Sequence, residues 1–236
     1  YMTANEAVGR DVAALFNMLT GYSRPPELER LWVSPLTMRT SMVEAIRREA
    51  ANARQGRPAR IIAKFNSLVD EAICDELYAA SKAGVEIDLI VRGMCILRAG
   101  VKGLSERIRV HSLIGRLLEH SRIYRFENGG QPVWLIASAD WMTRNLDRRV
   151  ESAVLIDDPR LTARLQAILD ICLQDDCGVR DLQPDGSYVR RRPRDGDRSR
   201  CAFVRLCAEA SAQAAPPTGR APVPEFRPRR KGGRRG

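Results

Sequence analysis

Histidine is scarce in this chain of 236 residues, which holds only His111 and His120. Histidine is the side chain best able to move a proton, or to accept a phosphoryl group, near neutral pH. Chemistry of that kind has at most two addresses here. Metal-ligand spacing is missing too. The six cysteines, Cys74, Cys95, Cys172, Cys177, Cys201 and Cys207, do not pair at zinc-site intervals. Cys172 and Cys177 have four residues between them but no histidine or second cysteine pair to complete a tetrahedral site. The thiols are expected to be reduced packing residues of a cytosolic protein. No apolar run approaches the ~20 residues of a membrane span, and no signal peptide is expected.

Acids are in short supply: 39 Lys and Arg stand against 29 Asp and Glu, a net charge of +10. Taken alone, that balance suggests a nucleic-acid partner. The excess is confined to one end, however. Residues 189–236 carry fourteen bases and four acids, whereas 1–188 carry twenty-five of each. The global basicity therefore says nothing about the region that precedes the tail. Residues 189–236 are rich in Pro, Gly, Ala and Arg and have few aromatics. They bury too little apolar surface to offset the entropy of ordering, and disorder is expected. Such a tail is either a tether for a polyanion or a solvated extension without a role. Residues 1–188 are long enough for one domain with a proper core.

Periodicity lays out that domain. Apolar residues recur at helical spacing over 8–19, and Gly21 is a plausible stop. A short strand is expected over 31–33. Ser34 or Thr37 can cap a helix over 38–53. A strand over 59–65, a helix capped by Asp70 and ended by Gly84, and a strand over 85–92 give a β-α-β order. That order argues for neighbouring parallel strands with a right-handed crossover. Further strands are expected over 108–113, 121–126, 133–137 and 152–156, and a helix over 159–174 closes the domain. The fold class is α/β, a mixed sheet flanked by helices.

Polar residues gather at the expected strand ends. Arg92 ends an apolar strand, where ligands tend to sit in open α/β sheets, although an arginine paired with an acid at a sheet edge would read the same way. His120 opens a strand one residue from Arg122, a pairing suited to phosphate: arginine offers a bidentate fork and histidine handles protons. Lys64, Asn66 and Ser67 follow the 59–65 strand as a point charge and donors, or as an ordinary loop ahead of the Asp70 cap. Asp140, Arg144, Asn145 and Arg148 follow the 133–137 strand, where a charged loop is also common. His111 has no such company and is expected to face solvent.

The order His120-Ser121-Arg122, strand, turn, strand, Ser138-Ala139-Asp140 resembles the second half-site of the phospholipase D superfamily. Within it, the surrounding words are similar to the last catalytic domain of the polyphosphate kinases. They are Leu19-Thr20-Gly21-Tyr22-Ser23, Ala63-Lys64-Phe65-Asn66-Ser67-Leu68-Val69-Asp70, Asp88-Leu89-Ile90-Val91-Arg92-Gly93 and Gly115-Arg116-Leu117-Leu118-Glu119-His120-Ser121-Arg122. Further along come Ser138-Ala139-Asp140-Trp141-Met142, Arg144-Asn145-Leu146-Asp147-Arg148-Arg149 and Leu182-Gln183-Pro184-Asp185-Gly186-Ser187-Tyr188. The resemblance runs to Arg190.

The resemblance implies a phospholipase D-like fold over 1–188. It implies that His120 is the second active-site histidine and, with Arg92, contacts ATP. Lys64, Asn66, Arg122, Asp140, Arg144, Asn145 and Arg148 would contact phosphate or polyphosphate. It further implies two half-sites facing each other across a tunnel. A histidine in the other half takes the terminal phosphoryl of ATP and passes it to polyphosphate. Opening at Tyr1-Met2-Thr3, the chain is expected to be a fragment whose nucleophilic histidine and Mg2+-binding arginines lie upstream, and which is inactive alone. ATP, ADP, polyphosphate and the upstream domains would be its partners. A homo-oligomer is expected in full length, in the cytoplasm or peripherally on a membrane, without specific nucleic-acid binding. One departure stands out: the superfamily has Lys where this chain has Arg122. An arginine stays charged and can only clamp, so this half-site is suited to stabilising charge rather than transferring protons. Two other classes remain compatible with the residues. One is a phospholipase D-type phosphodiesterase working as a homodimer, since one chain has a single site-like histidine. The other is a non-catalytic polyanion binder relying on the tail.

Overall fold

The computed structural model describes residues 2–21, 27–115, 118–193 and 201–213. Tyr22-Ser23, Arg116-Leu117 and most of the segment expected to be disordered, 194–200 and 214–236, lie outside the described residues. Asn5 caps the first helix, α1 (Glu6–Thr20), by accepting from the Ala7 and Val8 amides. Strand β1 (Leu31–Ser34) leads into α2 (Met38–Arg54), then β2 (Arg60–Phe65), α3 (Glu71–Lys82) and β3 (Glu86–Val91). Strands β4 (Ile108–Leu113), β5 (Ile123–Phe126) and β6 (Val133–Ala137) follow. After them come α4 (Thr143–Asp147), β7 (Glu151–Ile156), α5 (Pro159–Gln174), β8 (Val179–Leu182), β9 (Tyr188–Arg190) and α6 (Ala202–Gln213). The expected Asp70 cap is present, its side chain accepting from the Ile73 amide at 3.1 Å.

The nine strands form one mixed sheet in the order β1-β7-β6-β5-β2-β3-β4-β8-β9. Among the named strands parallel pairing is confined to β2–β3, as the β-α-β pattern required, and β3–β4. Helices cover both faces. Strand alternation sends Ile61, Ala63 and Phe65 of β2 towards α2 and α3, where Met42, Ile46, Ile73 and Leu77 fill the larger core. Ile62 of β2 points the other way and packs with Ile90, Trp134, Leu169 and Ile171 against α5.

This topology gathers several strand ends at one edge. Strands β2, β3 and β4 end there. Strand β5 starts there because it is antiparallel to β2, with Ile123 opposite Lys64. Strand β6, antiparallel to β5, returns its carboxyl end to the same edge.

Two expectations need correction. The boundary at 188 falls inside a strand: β9 continues to Arg190, Arg191 donates to Asp181 Oδ2 at 2.7 Å, and α6 lies within the supposed tail. Arginine is tolerated there because Asp181 and the Leu173 and Asp175 carbonyls receive its donors. His111 does not face solvent either. It is 6 % exposed, because β8 covers β4 and Arg191 closes over the ring with its Nη2 2.8 Å from Nδ1.

Candidate active site

Lys64 is the one residue of β2 that carries charge into the sheet interior, on the α5 side, and it is only 4 % exposed. Its Nζ donates to Ser121 Oγ at 2.8 Å and to the Ser121 carbonyl at 3.3 Å. It also pairs with Glu119 Oε2 at 2.9 Å. Burial tends to raise the Glu119 pKa, but Lys64, Ser121 and Arg92 outweigh it and hold the carboxyl below its ordinary value. The Ser121 carbonyl, taken by Lys64, is thereby diverted from the ladder, and β5 starts at Ile123 rather than at 121.

Beside Lys64, five of the expected residues form one hydrogen-bonded row. Arg92 Nε donates to Asn66 Oδ1 at 2.7 Å. Asn66 Nδ2 donates to Asp140 Oδ1 at 3.0 Å, and the Asn66 amide reaches the same oxygen at 2.9 Å. Arg122 Nε donates to Asp140 Oδ1 at 3.0 Å. Arg122 Nη1 lies 2.9 Å from Nδ1 of His120 and 3.0 Å from its carbonyl. Arginine has no acceptor, so Nδ1 of His120 is the acceptor and the ring proton sits on Nε2. The imidazole is exposed.

Glycine is required at the exit of β3. The Gly93 amide donates to the Asn66 carbonyl at 2.7 Å. A Cβ on Gly93 would lie 2.8 Å from both that oxygen and Ser67 Oγ. Any other residue would push Arg92 away from Asn66.

Behind the row stands an aromatic platform. The Trp141 ring packs 4.8 Å from Phe65 and 5.2 Å from Tyr124, and the Tyr124 hydroxyl donates to the Ala139 carbonyl at 2.8 Å. Asn145 is buried and faces inward: its Oδ1 accepts from the Asp140 amide at 3.1 Å, and its Nδ2 donates to Glu151 at 3.2 Å. Helix α4 is tied down at both ends. Thr143 Oγ1 donates to Asp70 Oδ2 at 2.9 Å, and Arg39 bridges Asp70 and Asp147 with four hydrogen bonds of 2.5–2.9 Å. Arg144 on α4 and Arg148 just after it are exposed and outside the row. The side chain of Arg148 makes no hydrogen bond or ion pair among the described residues.

The sequence thus named six residues that the fold brings together, Lys64, Asn66, Arg92, His120, Arg122 and Asp140. It missed Glu119 and Ser121, which hold Lys64, and Arg39, Asp70 and Glu151, which brace from behind. Glu119 and Ser121 flank His120 in the sequence, and that adjacency was the available signal. Among the described residues, no group of three or more His, Cys, Asp or Glu could hold a metal ion.

The mixed sheet, with helices on both faces, thus gathers Lys64, Arg92, Arg122 and His120 at one edge. The family model for polyphosphate kinase C-terminal domain 2 matches residues 31–202. This chain belongs to that family. It is 52 % identical over 212 residues to a polyphosphate kinase of Synechocystis sp., covering 90 % of this chain and 29 % of that protein. A polyphosphate kinase of Neisseria meningitidis serogroup C is 49 % identical over 197 residues, covering 83 % of this chain and 29 % of the relative. The crystal structure of polyphosphate kinase from Porphyromonas gingivalis superposes with a TM-score of 0.85 at 37 % identity, over 90 % of this chain and 32 % of that one. The chain spans under a third of the length of the relatives it matches.

Proposed function

We propose that this chain supplies one half of the active site of a polyphosphate kinase, which reversibly transfers the terminal phosphoryl of ATP to inorganic polyphosphate. The observation that carries the reading is the Arg122–His120 contact. It leaves Nε2 as an N–H donor rather than a lone pair, so His120 is built to stabilise a phosphoryl oxygen and not to attack phosphorus. The phosphohistidine then forms on a histidine outside this chain. A loose phosphoryl-transfer transition state spreads charge over its equatorial oxygens, and catalysis rests on positioning and on fixed cations. Arg92 and His120 would contact the nucleotide. Lys64, with Arg122 behind His120, would supply positive charge, and Arg144 and Arg148 would guide the polymer. Asn66, Asp140 and Asn145 would orient the cations. The ligands of Mg2+ would belong to the rest of the enzyme, as would the contacts of a homo-oligomer. No described helix is long and apolar enough to cross a membrane.

The test is reconstitution. The isolated chain should incorporate no labelled terminal phosphate from ATP into acid-insoluble polymer. With the remaining domains restored, synthesis should appear. His120→Ala or Arg92→Ala should then lower turnover by roughly 10²–10³-fold with folding intact. Polymer made by the isolated chain, or near-full activity of His120→Ala, would refute the reading.

A further inference from the structure

The buried ammonium of Lys64 meets its only carboxylate among the described residues in Glu119, and the two partners are unequally exposed. The Lys64 side chain is 5 % exposed and that of Glu119 43 %. The acid sits on the solvent side of the cation, on the short segment 118–120 that is exposed at Leu118 and His120. A buried ammonium needs a counter-anion at close range, and Glu119 provides one at 2.9 Å. Its Oε2 also accepts from Ser121 Oγ at 3.1 Å. Arg92 acts on the same carboxylate from the β3 side and helps to hold it ionised. The carboxylate therefore occupies the place where an oxyanion reaching Lys64 would sit, with a cation and a hydroxyl as its ligands. It is also the partner free to move, because its side chain is 43 % exposed whereas Lys64 is held by burial.

We infer that Glu119 is a tethered stand-in for phosphate, which caps Lys64 until a phosphoryl chain arrives and then swings aside. The inference rests on the reading of Lys64 as a phosphate contact. Its consequence is selectivity. A carboxylate attached two residues before Ser121 competes at high local concentration, so single weak anions are kept off Lys64. A chain of phosphoryl groups displaces it by engaging Arg92 as well.

The experiment uses this chain itself and inorganic tripolyphosphate, titrated calorimetrically at low ionic strength, where such contacts are least screened. Glu119→Gln removes the competing charge and keeps the side chain's size. It should bind about three- to tenfold more tightly than the wild type, equivalent to roughly 1 kcal/mol. Lys64→Met should weaken binding, and in the Lys64→Met background Glu119→Gln should give no gain. Glu127→Gln removes an equal charge at the opposite sheet edge, where Glu127 pairs with Arg125 at 2.7 Å. It should leave affinity unchanged. Circular dichroism checks that each variant is folded.

If Lys64→Met weakens binding but Glu119→Gln does not tighten it, the stand-in role is overturned while the phosphate site stands. A gain that persists without Lys64, or that Glu127→Gln reproduces, also overturns it, because general charge would explain the effect. If Lys64→Met leaves affinity intact, or if neither the wild type nor Glu119→Gln binds, both the stand-in and the reading of Lys64 fall.

Discussion

An arginine lies against Nδ1 of each histidine, Arg122 at 2.9 Å from His120 and Arg191 at 2.8 Å from His111, but Nδ1 of His111 also faces a carboxylate, Asp181 Oδ1 at 2.7 Å. Burial opposes charge on His111, and Arg191 beside it does the same. Hydrogen bonds to Asp181 and Asp88 outweigh both and raise its pKa above the ordinary 6.5. Burial likewise works against the ionised form of Asp181, but His111 and Arg191 hold it down to about 2, from an ordinary 3.8. Asp88 is also held low, by His111, Arg109 and Arg60 against its burial.

Linkage fixes the pH window of this cluster. The histidine's contribution to stability is complete below pH 6.5 and is lost as pH rises through its raised value. The Asp181 contribution is complete above pH 3.8 and is lost as pH falls towards about 2. The wild type should therefore exceed His111→Gln in stability by roughly 2 kcal/mol between those two limits, the scale of a buried charged hydrogen bond. The difference should shrink on the alkaline side. Thermal melts of both proteins across the pH range check this, and a constant difference up to strongly alkaline pH would contradict it.

Among the elements, α4 depends on its neighbours more than any other. Five residues cannot sustain a helix alone, and α4 persists because Arg39 and Asp70 hold Thr143 and Asp147. The same helix presents Asn145 to Asp140, and Asp140 receives Arg122. Arg39→Met would leave Asp70, whose side chain is 2 % exposed, without its cation. A loss of roughly 2–3 kcal/mol is expected, at the lower end for a buried pair because Arg39 is partly exposed. Chemical denaturation measures it, and Arg39→Lys should recover only part, since an ammonium cannot grip two carboxylates bidentately. Full stability in Arg39→Met would refute the clamp.

Elements of this kind also show what the sequence could convey. The Asp70 cap and α5, expected over 159–174 and found at Pro159–Gln174, were legible because capping and periodicity are local. The six residues that the fold brings together were legible because each lies near a strand end. The burial of His111 was not, because the strand that covers it comes some seventy residues later. Nor was the inward orientation of the Asp140 carboxylate, because it is held by Asn66, seventy-four residues earlier in the chain.

On the scale of the whole molecule, the sheet is assembled from both ends of the chain. The centre, β2-β3-β4, joins strands close in sequence, whereas one flank pairs Leu31 with Val154 and Ser34 with Glu151. The β1–β7 pairing closes a loop of more than a hundred residues, and such closure is entropically slow and comes late in folding. Contacts that form after the transition state govern the rate of unfolding and leave the rate of folding nearly untouched. Leu31, buried in β1, is the place to see it. Leu31→Ala should cost roughly 2 kcal/mol, and nearly all of that should appear as unfolding faster by on the order of thirtyfold. In stopped-flow chevrons the refolding arm should stay in place while the unfolding arm rises; an equal shift of both arms would put β1 in the folding nucleus instead. The first strand of the sheet would then act as its clasp, fastened last and setting how long the native state lasts once formed.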